Sequence, residues 1–169
     1  ISKLLNLYLI FFLICFQGFV GWYMVSSGLV DRVDVSHFRL SFHLVLAFLI
    51  LSLIYWNYLK IKIIINNKNK FNSIIPYTFL ILIFIQIAIG AFVSGMDAGK
   101  IYNSWPMMGE SYFPSDNTLV NLFKLSAFSD PSLVQFIHRN LAYLITIFYL
   151  YMFLKIYKSN FKDLYFSIN

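Results

Sequence analysis

The sequence predicts an all-α integral membrane protein whose four transmembrane helices form two repeated helical hairpins. Three observations support this fold class. Hydrophobic residues make up 60% of the 169 residues and charged residues 12%, a composition too apolar for a soluble domain with a hydrated surface. The apolar residues are gathered into four long stretches. The same polar and small residues recur at matching positions in alternate stretches.

Each apolar stretch is long enough to cross a bilayer. About 20 helical residues, at about 1.5 Å each, span the roughly 30 Å hydrocarbon core. The strands of a membrane β-barrel would be about half as long and would alternate in polarity. The predicted helices cover residues 4–25, 40–59, 74–93 and 133–156. The first is too long for a cleavable signal peptide, and because the chain begins with Ile1 we expect it to be an internal piece of a longer protein.

The distribution of charge predicts the orientation, because cytoplasmic loops carry the excess of Lys and Arg. Eight lysines with almost no acid nearby mark one side: Lys3, Lys60, Lys62, Lys68, Lys70, Lys155, Lys158 and Lys162. We therefore expect both termini and the loop 60–73 on the cytoplasmic or matrix side, with loops 26–39 and 94–132 outside. The net charge of +6 follows from this topology and does not indicate nucleic-acid binding.

The two hairpins repeat a pattern of one glutamine, one glycine and one histidine. The first and third helices each carry a glutamine followed four residues later by a glycine, and the second and fourth each carry a histidine. The histidines lie about 10 Å outward of their helix midpoints, level with the glycines. The six residues are Gln17, Gly21, His43, Gln86, Gly90 and His138. We expect the glutamines to form interhelical hydrogen bonds, because an unpaired amide in hydrocarbon is costly.

His43 and His138 are the candidate functional residues, since an ionisable side chain within a membrane span is costly. Three roles compete: a haem or metal ligand, a proton relay, and a structural interhelical hydrogen bond. Two histidines at matched depth, each facing a glycine that leaves room for a flat ring, favour haem ligation. Zinc or copper is less favoured, because the spans offer no second histidine, carboxylate or cysteine at ligand spacing.

An arginine accompanies each histidine. Arg39 precedes His43 by four residues, and Arg139 follows His138 directly. Either guanidinium could bind a haem propionate through paired hydrogen bonds, or could only reach towards the lipid headgroups. His37 is expected to be solvated at the outer interface.

The loop 94–132 is long for a simple connection and contains several aromatic residues, so we expect it to fold over the outer membrane face. The lone cysteine, Cys15, excludes an intrachain disulfide.

Four segments together resemble the haem A synthase family. They are residues 17–29 (QGFVGWYMVSSGL), 35–44 (VSHFRLSFHL), 90–109 (GAFVSGMDAGKIYNSWPMMG) and 135–139 (QFIHR). They are spread over nearly the whole chain, and the run MDAGKIYNSWPMMG is hard to match by accident. The absence of cysteine from the loop 94–132 resembles the mitochondrial and alphaproteobacterial form of the family.

The resemblance implies an eight-helix bundle of two four-helix halves, of which this chain would supply about the third to sixth helices. Residues 1–72 would be a helix pair from the first half, on the substrate haem side. Residues 73–169, with the long outer loop 94–132, would be a pair from the second half, on the haem B side. The partner histidines would lie on the second and eighth helices, so we expect this chain alone to be inactive.

The resemblance further implies an oxidoreductase that converts a ring methyl of haem O to a formyl group, making haem A for cytochrome c oxidase. His43 would be the catalytic residue, holding the iron of the substrate haem O, and His138 would hold the iron of haem B. The other implied cofactor-binding residues are Arg139, Arg39, Gly21 and Gly90. The residues that would shape an outer cap are Asp97, Tyr102, Asn103 and Trp105.

The implied surroundings are those of a multi-pass protein of a bacterial inner membrane or the mitochondrial inner membrane. The implied partners are the lipid bilayer, haem O, the haem O synthase (a farnesyltransferase) and cytochrome oxidase assembly factors; a homo-oligomer is compatible with the pattern. Two other functions remain open from the residues. One is a haem-B-binding electron-transfer subunit without hydroxylase activity, and the other is a transporter with paired repeats and no haem.

Overall fold

The computed structural model describes residues 2–28, 35–62 and 74–158, and four long helices dominate these parts of the chain. They are α1 (Ser2–Gly28), α2 (His37–Lys62), α3 (Ile74–Gly95) and α5 (Pro131–Lys158). Between α3 and α5 lie a one-turn helix, α4 (Leu119–Leu122), and 3₁₀ turns at Ala98–Lys100 and Leu125–Ser129. All four long helices are apolar and long enough to cross a membrane, so the predicted fold class is confirmed.

Helices α2 and α5 begin earlier than the hydropathy pattern predicts, because their first turns are polar. In α5, Asp130 precedes Pro131, and its side chain accepts a hydrogen bond from the backbone N–H of Leu133 at 3.0 Å. An aspartate cap followed by proline is a typical helix start. In α2, the carbonyl of Ser36 accepts from the backbone N–H of Leu40 at 3.0 Å. Residues 63–73, most of the predicted lysine-rich loop, lie outside the described residues.

The long helices pack side by side in chain order: α1 contacts α2, α2 contacts α3, and α3 contacts α5. The most extensive of these contacts joins α2 and α3, which belong to different predicted hairpins. There the buried Ser41 hydroxyl donates to the backbone carbonyl of Ala88 at 3.0 Å. The two hairpins are therefore in close contact through α2 and α3.

Most large apolar side chains of the spans are uncovered within this chain; Phe11 and Phe12, for example, are 67% and 64% exposed. A helix that is apolar on all sides must be surrounded by lipid or by other helices. Lipid or other helices therefore cover the exposed surfaces of α1 and α5.

The loop between α3 and α5 is folded, as predicted, and holds some of the most buried side chains described. Met108, Pro114 and Ala127 of the loop are almost fully buried, as are Leu133 and Val134. Leu133 and Val134 belong to the first turn of α5, so the loop is anchored on that end of the helix. The side of the membrane on which it lies stays a prediction.

Candidate functional site

In the first hairpin, Gln17 and Gly21 of α1 enclose the imidazole of His43 on α2. Gln17 Nε2 lies 3.2 Å from His43 Nε2 and donates to the backbone carbonyl of His43 at 3.0 Å. One helical turn further along α1, a Cβ added to Gly21 would lie 3.0 Å from His43 Cε1. Residues four apart share a helix face, so glutamine and glycine approach the same ring.

The second hairpin repeats this arrangement with Gln86 and Gly90 of α3 and His138 of α5. Gln86 Nε2 lies 3.4 Å from His138 Nε2 and donates to the backbone carbonyl of His138 at 3.2 Å. A Cβ on Gly90 would lie 3.1 Å from His138 Cε1. The predicted pairing of histidine and glycine at one depth, and the interhelical hydrogen bonds of both glutamines, are confirmed.

The same two atoms lack hydrogen-bond partners in each unit. Gln17 Oε1 and His43 Nδ1 are buried and have no partner among the described residues, and the same holds for Gln86 Oε1 and His138 Nδ1. Buried polar atoms are usually satisfied, and the two units carry the same pair of exceptions at repeated positions.

The space beside each glycine is filled by the histidine ring itself. The sequence predicted that the glycine leaves room for a flat ring, and the imidazole occupies that room because the two helices approach closely at this level. Gly18, one residue after Gln17, faces open space with nothing within 4 Å of a Cβ. The glycines that matter to the histidines are therefore Gly21 and Gly90.

Arg139, the residue after His138, is bound to the backbone of the folded loop. Its guanidinium donates to the carbonyls of Tyr102 at 2.6 Å, Ser104 at 2.8 Å and Met107 at 3.4 Å. A guanidinium has five N–H groups, so two stay available for another acceptor. Sequence reasoning missed this loop-holding role, because the carbonyls lie far from Arg139 along the chain.

Arg39 has a different environment, with its guanidinium 5.4 Å from the centre of the Tyr23 ring. Such a cation–π contact holds the charge at the rim of the α1–α2 pair. The arginine lies one turn before His43 and lines an apolar groove of about 260 Å³. The other lining residues are Phe19, Val20, Tyr23, Met24, Phe38 and Phe42.

His37 is half-buried, and the prediction that it is solvated was wrong. Its ring centre lies 5.3 Å from that of Phe92, the backbone of Phe128 lies beside the ring, and its Nε2 is buried. The cause is close packing: a Cβ on Gly95 would lie 3.0 Å from both Cα and Cβ of His37. The 3₁₀ turn that contains Phe128 then covers the ring.

A network around Asp116 ties the loop to the start of α5. The carboxylate accepts hydrogen bonds from Tyr102 Oη at 2.9 Å and Ser132 Oγ at 2.6 Å, and Gln135 Nε2 donates to the Tyr102 carbonyl at 2.9 Å. Partial burial raises the pKa of Asp116, but the hydrogen bonds from Ser132 and Tyr102 favour the charged form more strongly, so its pKa lies below the usual value. The sequence carried no periodic signal for this network.

The four predicted cap residues lie in the same folded loop. Tyr102 belongs to the Asp116 network, and Trp105 Nε1 donates to the hydroxyl of Tyr143 on α5 at 2.6 Å. Asp97 forms an exposed ion pair with Lys100 at 3.0 Å, and Asn103 donates to the Lys100 carbonyl at 3.4 Å.

The side chains near His43 and His138 are suited to a metal ion that is already coordinated by a cofactor. Within the described ranges, no three His, Cys, Asp or Glu side chains are grouped closely enough to hold a bare ion. Haem iron needs only one or two axial ligands from the protein, and neutral histidine is a common one. His43 and His138 each lie beside buried polar atoms that lack a hydrogen-bond partner. As single histidine ligands, they fit haem iron.

Comparison with known proteins gives one consistent result. A family model described as a cytochrome oxidase assembly protein matches residues 2–167. A haem A synthase of Pelagibacter ubique is 53% identical over 141 residues, covering 83% of this chain and 42% of the relative. A haem A synthase of Rickettsia bellii is 40% identical over 160 residues, covering 92% and 47%. The chain thus spans less than half the length of these relatives, and no solved structure matches it.

Proposed function

This chain belongs to the family of cytochrome oxidase assembly proteins that includes the haem A synthases, and on that premise we propose that the full-length protein is a haem A synthase. It would oxidise a ring methyl of haem O to a formyl group and so supply haem A for cytochrome c oxidase. The observation that carries the proposal is the twin arrangement of glutamine, glycine and histidine at 3.0–3.4 Å. The chain would form about the third to sixth helices of an eight-helix bundle.

The two histidines are proposed to hold different haems. His43, in the half formed with residues 1–72, would bind the iron of the substrate haem O. His138, in the half formed with residues 73–169, would bind the iron of haem B. A bound haem supplies one-electron redox chemistry at its iron. The protein's part is to present each imidazole at a fixed depth, and the hydrogen bonds from Gln17 and Gln86 to the backbone carbonyls of the two histidines support that role.

The arginines would bind propionates at the outer ends of these sites. Arg139 has two N–H groups beyond those bound to loop carbonyls, and it adjoins His138. Arg39 lies one turn from His43 at the edge of an apolar groove. A carboxylate bound to either arginine would gain a charge-assisted hydrogen bond close to its haem iron.

The other helices of the full-length protein are proposed to cover the exposed faces of this chain and to supply the partner histidines. One candidate face is a groove of about 690 Å³ lined by Tyr112 and by α5 residues from Asn140 to Tyr151. Ile147, one of its lining residues, lies nine residues from His138 and so on the opposite face of the helix. The groove thus lies on the side of α5 that faces away from α3, where lipid or another helix would cover it.

We propose a multi-pass location in a bacterial inner membrane or the mitochondrial inner membrane, with the termini of this segment on the cytoplasmic or matrix side. The lysines near both ends and the acidic residues of the folded loop support that orientation. The proposed partners are haem O, the haem O synthase that delivers it, and oxidase assembly factors.

The test is an absorption spectrum and pigment extraction of the full-length protein purified in detergent. We expect haem B together with haem O or haem A. Haem B alone would support the electron-transfer subunit instead, and a colourless protein would overturn both haem functions.

A further inference from the structure

A patch of large apolar side chains lies on the surface of the folded loop, in α4 and the residues that follow it. Phe123 is 87% exposed and Leu125 is 88% exposed, and Leu119 and Val120 are each more than half exposed. Exposed apolar side chains are common singly, but a group of them in one short segment indicates a contact with lipid or with another protein.

The polar side chains of the same segment are bonded within the loop. Asn121 donates to Asn117 Oδ1 at 3.4 Å, and Asn117 donates to Asp130, the cap of α5, at 3.1 Å. Both asparagines are half-buried. A segment that faced water would have its polar groups outside and its apolar groups inside. The arrangement found here is the reverse, so the outer face of the segment is suited to an apolar medium.

The patch lies close to the ends of the membrane spans. Phe128, in the 3₁₀ turn that begins at Leu125, contacts Phe92 with ring centres 6.2 Å apart. Phe92 lies three residues before the end of the apolar span Ile74–Gly95, which is about 4.5 Å along a helix. Leu125 precedes Phe128 by one 3₁₀ turn, or about 6 Å. The patch is therefore held near the level where the hydrocarbon core of a bilayer meets the headgroups.

We propose that residues 119–125 form an interfacial anchor, which inserts Phe123 and Leu125 among the lipid acyl chains at this end of the spans. Lipid is the occupant because the contact of Phe128 with Phe92 sets the depth of the patch. The residue between the two most exposed side chains is also suited to lipid. Lys124 is exposed, and a lysine can keep its ammonium among phosphate headgroups while its stem lies along apolar groups.

The anchor would hold the loop against the ends of the helices. Asn117 connects the patch to Asp130 at the start of α5. The neighbouring Asp116 accepts a hydrogen bond from Tyr102, and the carbonyl of Tyr102 accepts one from Arg139. Insertion of the patch therefore fixes one end of a chain of contacts that reaches Arg139. This inference concerns the loop and the bilayer, and it does not rest on the proposed function.

The first test measures the environment of single nitroxide spin labels on the full-length protein in vesicles of phosphatidylethanolamine and phosphatidylglycerol. Labels are attached to Phe123→Cys and Leu125→Cys in a background without other cysteines, including Cys15→Ser. Oxygen concentrates in hydrocarbon, whereas a neutral nickel chelate stays in water. We expect the ratio of oxygen to nickel collisions to be several-fold higher at both positions than at Glu110→Cys, the control at an exposed charged position of the same loop.

Two results would overturn the proposal. Frequent nickel collisions at positions 123 and 125, as at position 110, would show that the patch faces water. Few collisions with either reagent would show that the patch is covered by protein, which is either another segment of the full-length chain or a partner. Both substituted side chains are largely exposed, so folding should be retained. If either variant fails to fold, Leu119→Cys takes its place.

The second test removes the apolar side chains and measures a label at Val120→Cys. With Phe123→Ser and Leu125→Ser together, nickel collisions at position 120 should rise several-fold, because less apolar surface holds the segment in lipid. Glu110→Ser is the matched control and should leave that label unchanged. An unchanged label in the folded double-serine variant would contradict the anchor.

Discussion

Gly21 and His43 approach so closely that a methyl group at residue 21 would press on the imidazole. A Cβ on Gly21 would lie 3.0 Å from the imidazole Cε1, whereas Gly18, three residues earlier on the same helix, has nothing within 4 Å. Real Cβ contacts at 3.0 Å are rare, so the ring or the helix must move if Gly21 is replaced. The two glycines therefore provide a matched pair for experiment.

Gly21→Ala should displace His43 and reduce haem occupancy at that site, whereas Gly18→Ala should not. Alanine is the better helix former by about 1 kcal/mol, so Gly18→Ala should be neutral or stabilising in thermal unfolding. Occupancy is measured by pigment extraction from the full-length protein. Equal occupancy in the two variants would show that the Gly21 contact does not position the ring.

His138→Ala should abolish the haem B Soret band of the full-length protein, because an alanine offers no axial ligand. His43→Ala should keep haem B and lose the formation of haem A, since the two sites lie in different hairpins. Absorption spectra with pigment analysis separate these outcomes. An unchanged Soret band in His138→Ala would remove His138 as a ligand.

Arg139→Lys should loosen the loop that contains Tyr102 and Met107, because a lysine cannot reach three carbonyls in the way a guanidinium does. Losing hydrogen bonds from a charged group costs on the order of 2 kcal/mol. Limited proteolysis within residues 101–114 should become faster. Lys100→Ala is the control, since its exposed ion pair with Asp97 contributes little. Equal cleavage of both variants would contradict the loop-holding role.

Asp116→Asn should destabilise the loop at neutral pH and have less effect in acid. The folded pKa of Asp116 is lowered, so its contribution is present above the unfolded pKa of about 3.9 and is lost as pH falls through the folded pKa. Thermal unfolding is compared between wild type and variant from about pH 7 to about pH 3. The difference in midpoint should narrow below about pH 4; a constant difference would argue against an ionised Asp116.

Ser41→Ala should weaken the packing of α2 on α3 by about 0.6 kcal/mol, the average for interhelical hydrogen bonds in a membrane protein. The buried Ser41 hydroxyl is bound to Ala88 of the neighbouring helix. Ser52→Ala is the control, because the Ser52 hydroxyl bonds to Phe48 of its own helix at 2.8 Å and is exposed. Denaturant unfolding of the full-length protein should distinguish the two serines.

The helices and most of the histidine sites could be predicted from the order of residues. Helix length and apolar character are local properties, and a rise of about 1.5 Å per residue turns residue number into depth. Residue spacing was therefore enough to match His43 with Gly21 and His138 with Gly90. The cost of an unpaired amide in hydrocarbon was enough to predict that both glutamines bond between helices.

Residue spacing and apolar character could not predict the contacts made by the folded loop. Arg139 binds carbonyls of residues 102–107, and His37 is covered by the turn at Phe128. These contacts depend on the path of residues 96–130, which show no long helical or strand period, so nothing in their order indicates which groups meet. The solvated position predicted for His37 was wrong for that reason.

What the amino-acid sequence determined by itself is therefore the set of spans and the depth of each polar residue, because both follow from local hydrophobicity and helical rise. The tertiary structure decided which atoms meet at that depth: the amide of Gln17 at Nε2 of His43, the backbone of Gly21 at Cε1, and the loop carbonyls at Arg139. Those pairings depend on how closely two helices approach and how each is rotated, which only the packing of the whole chain sets.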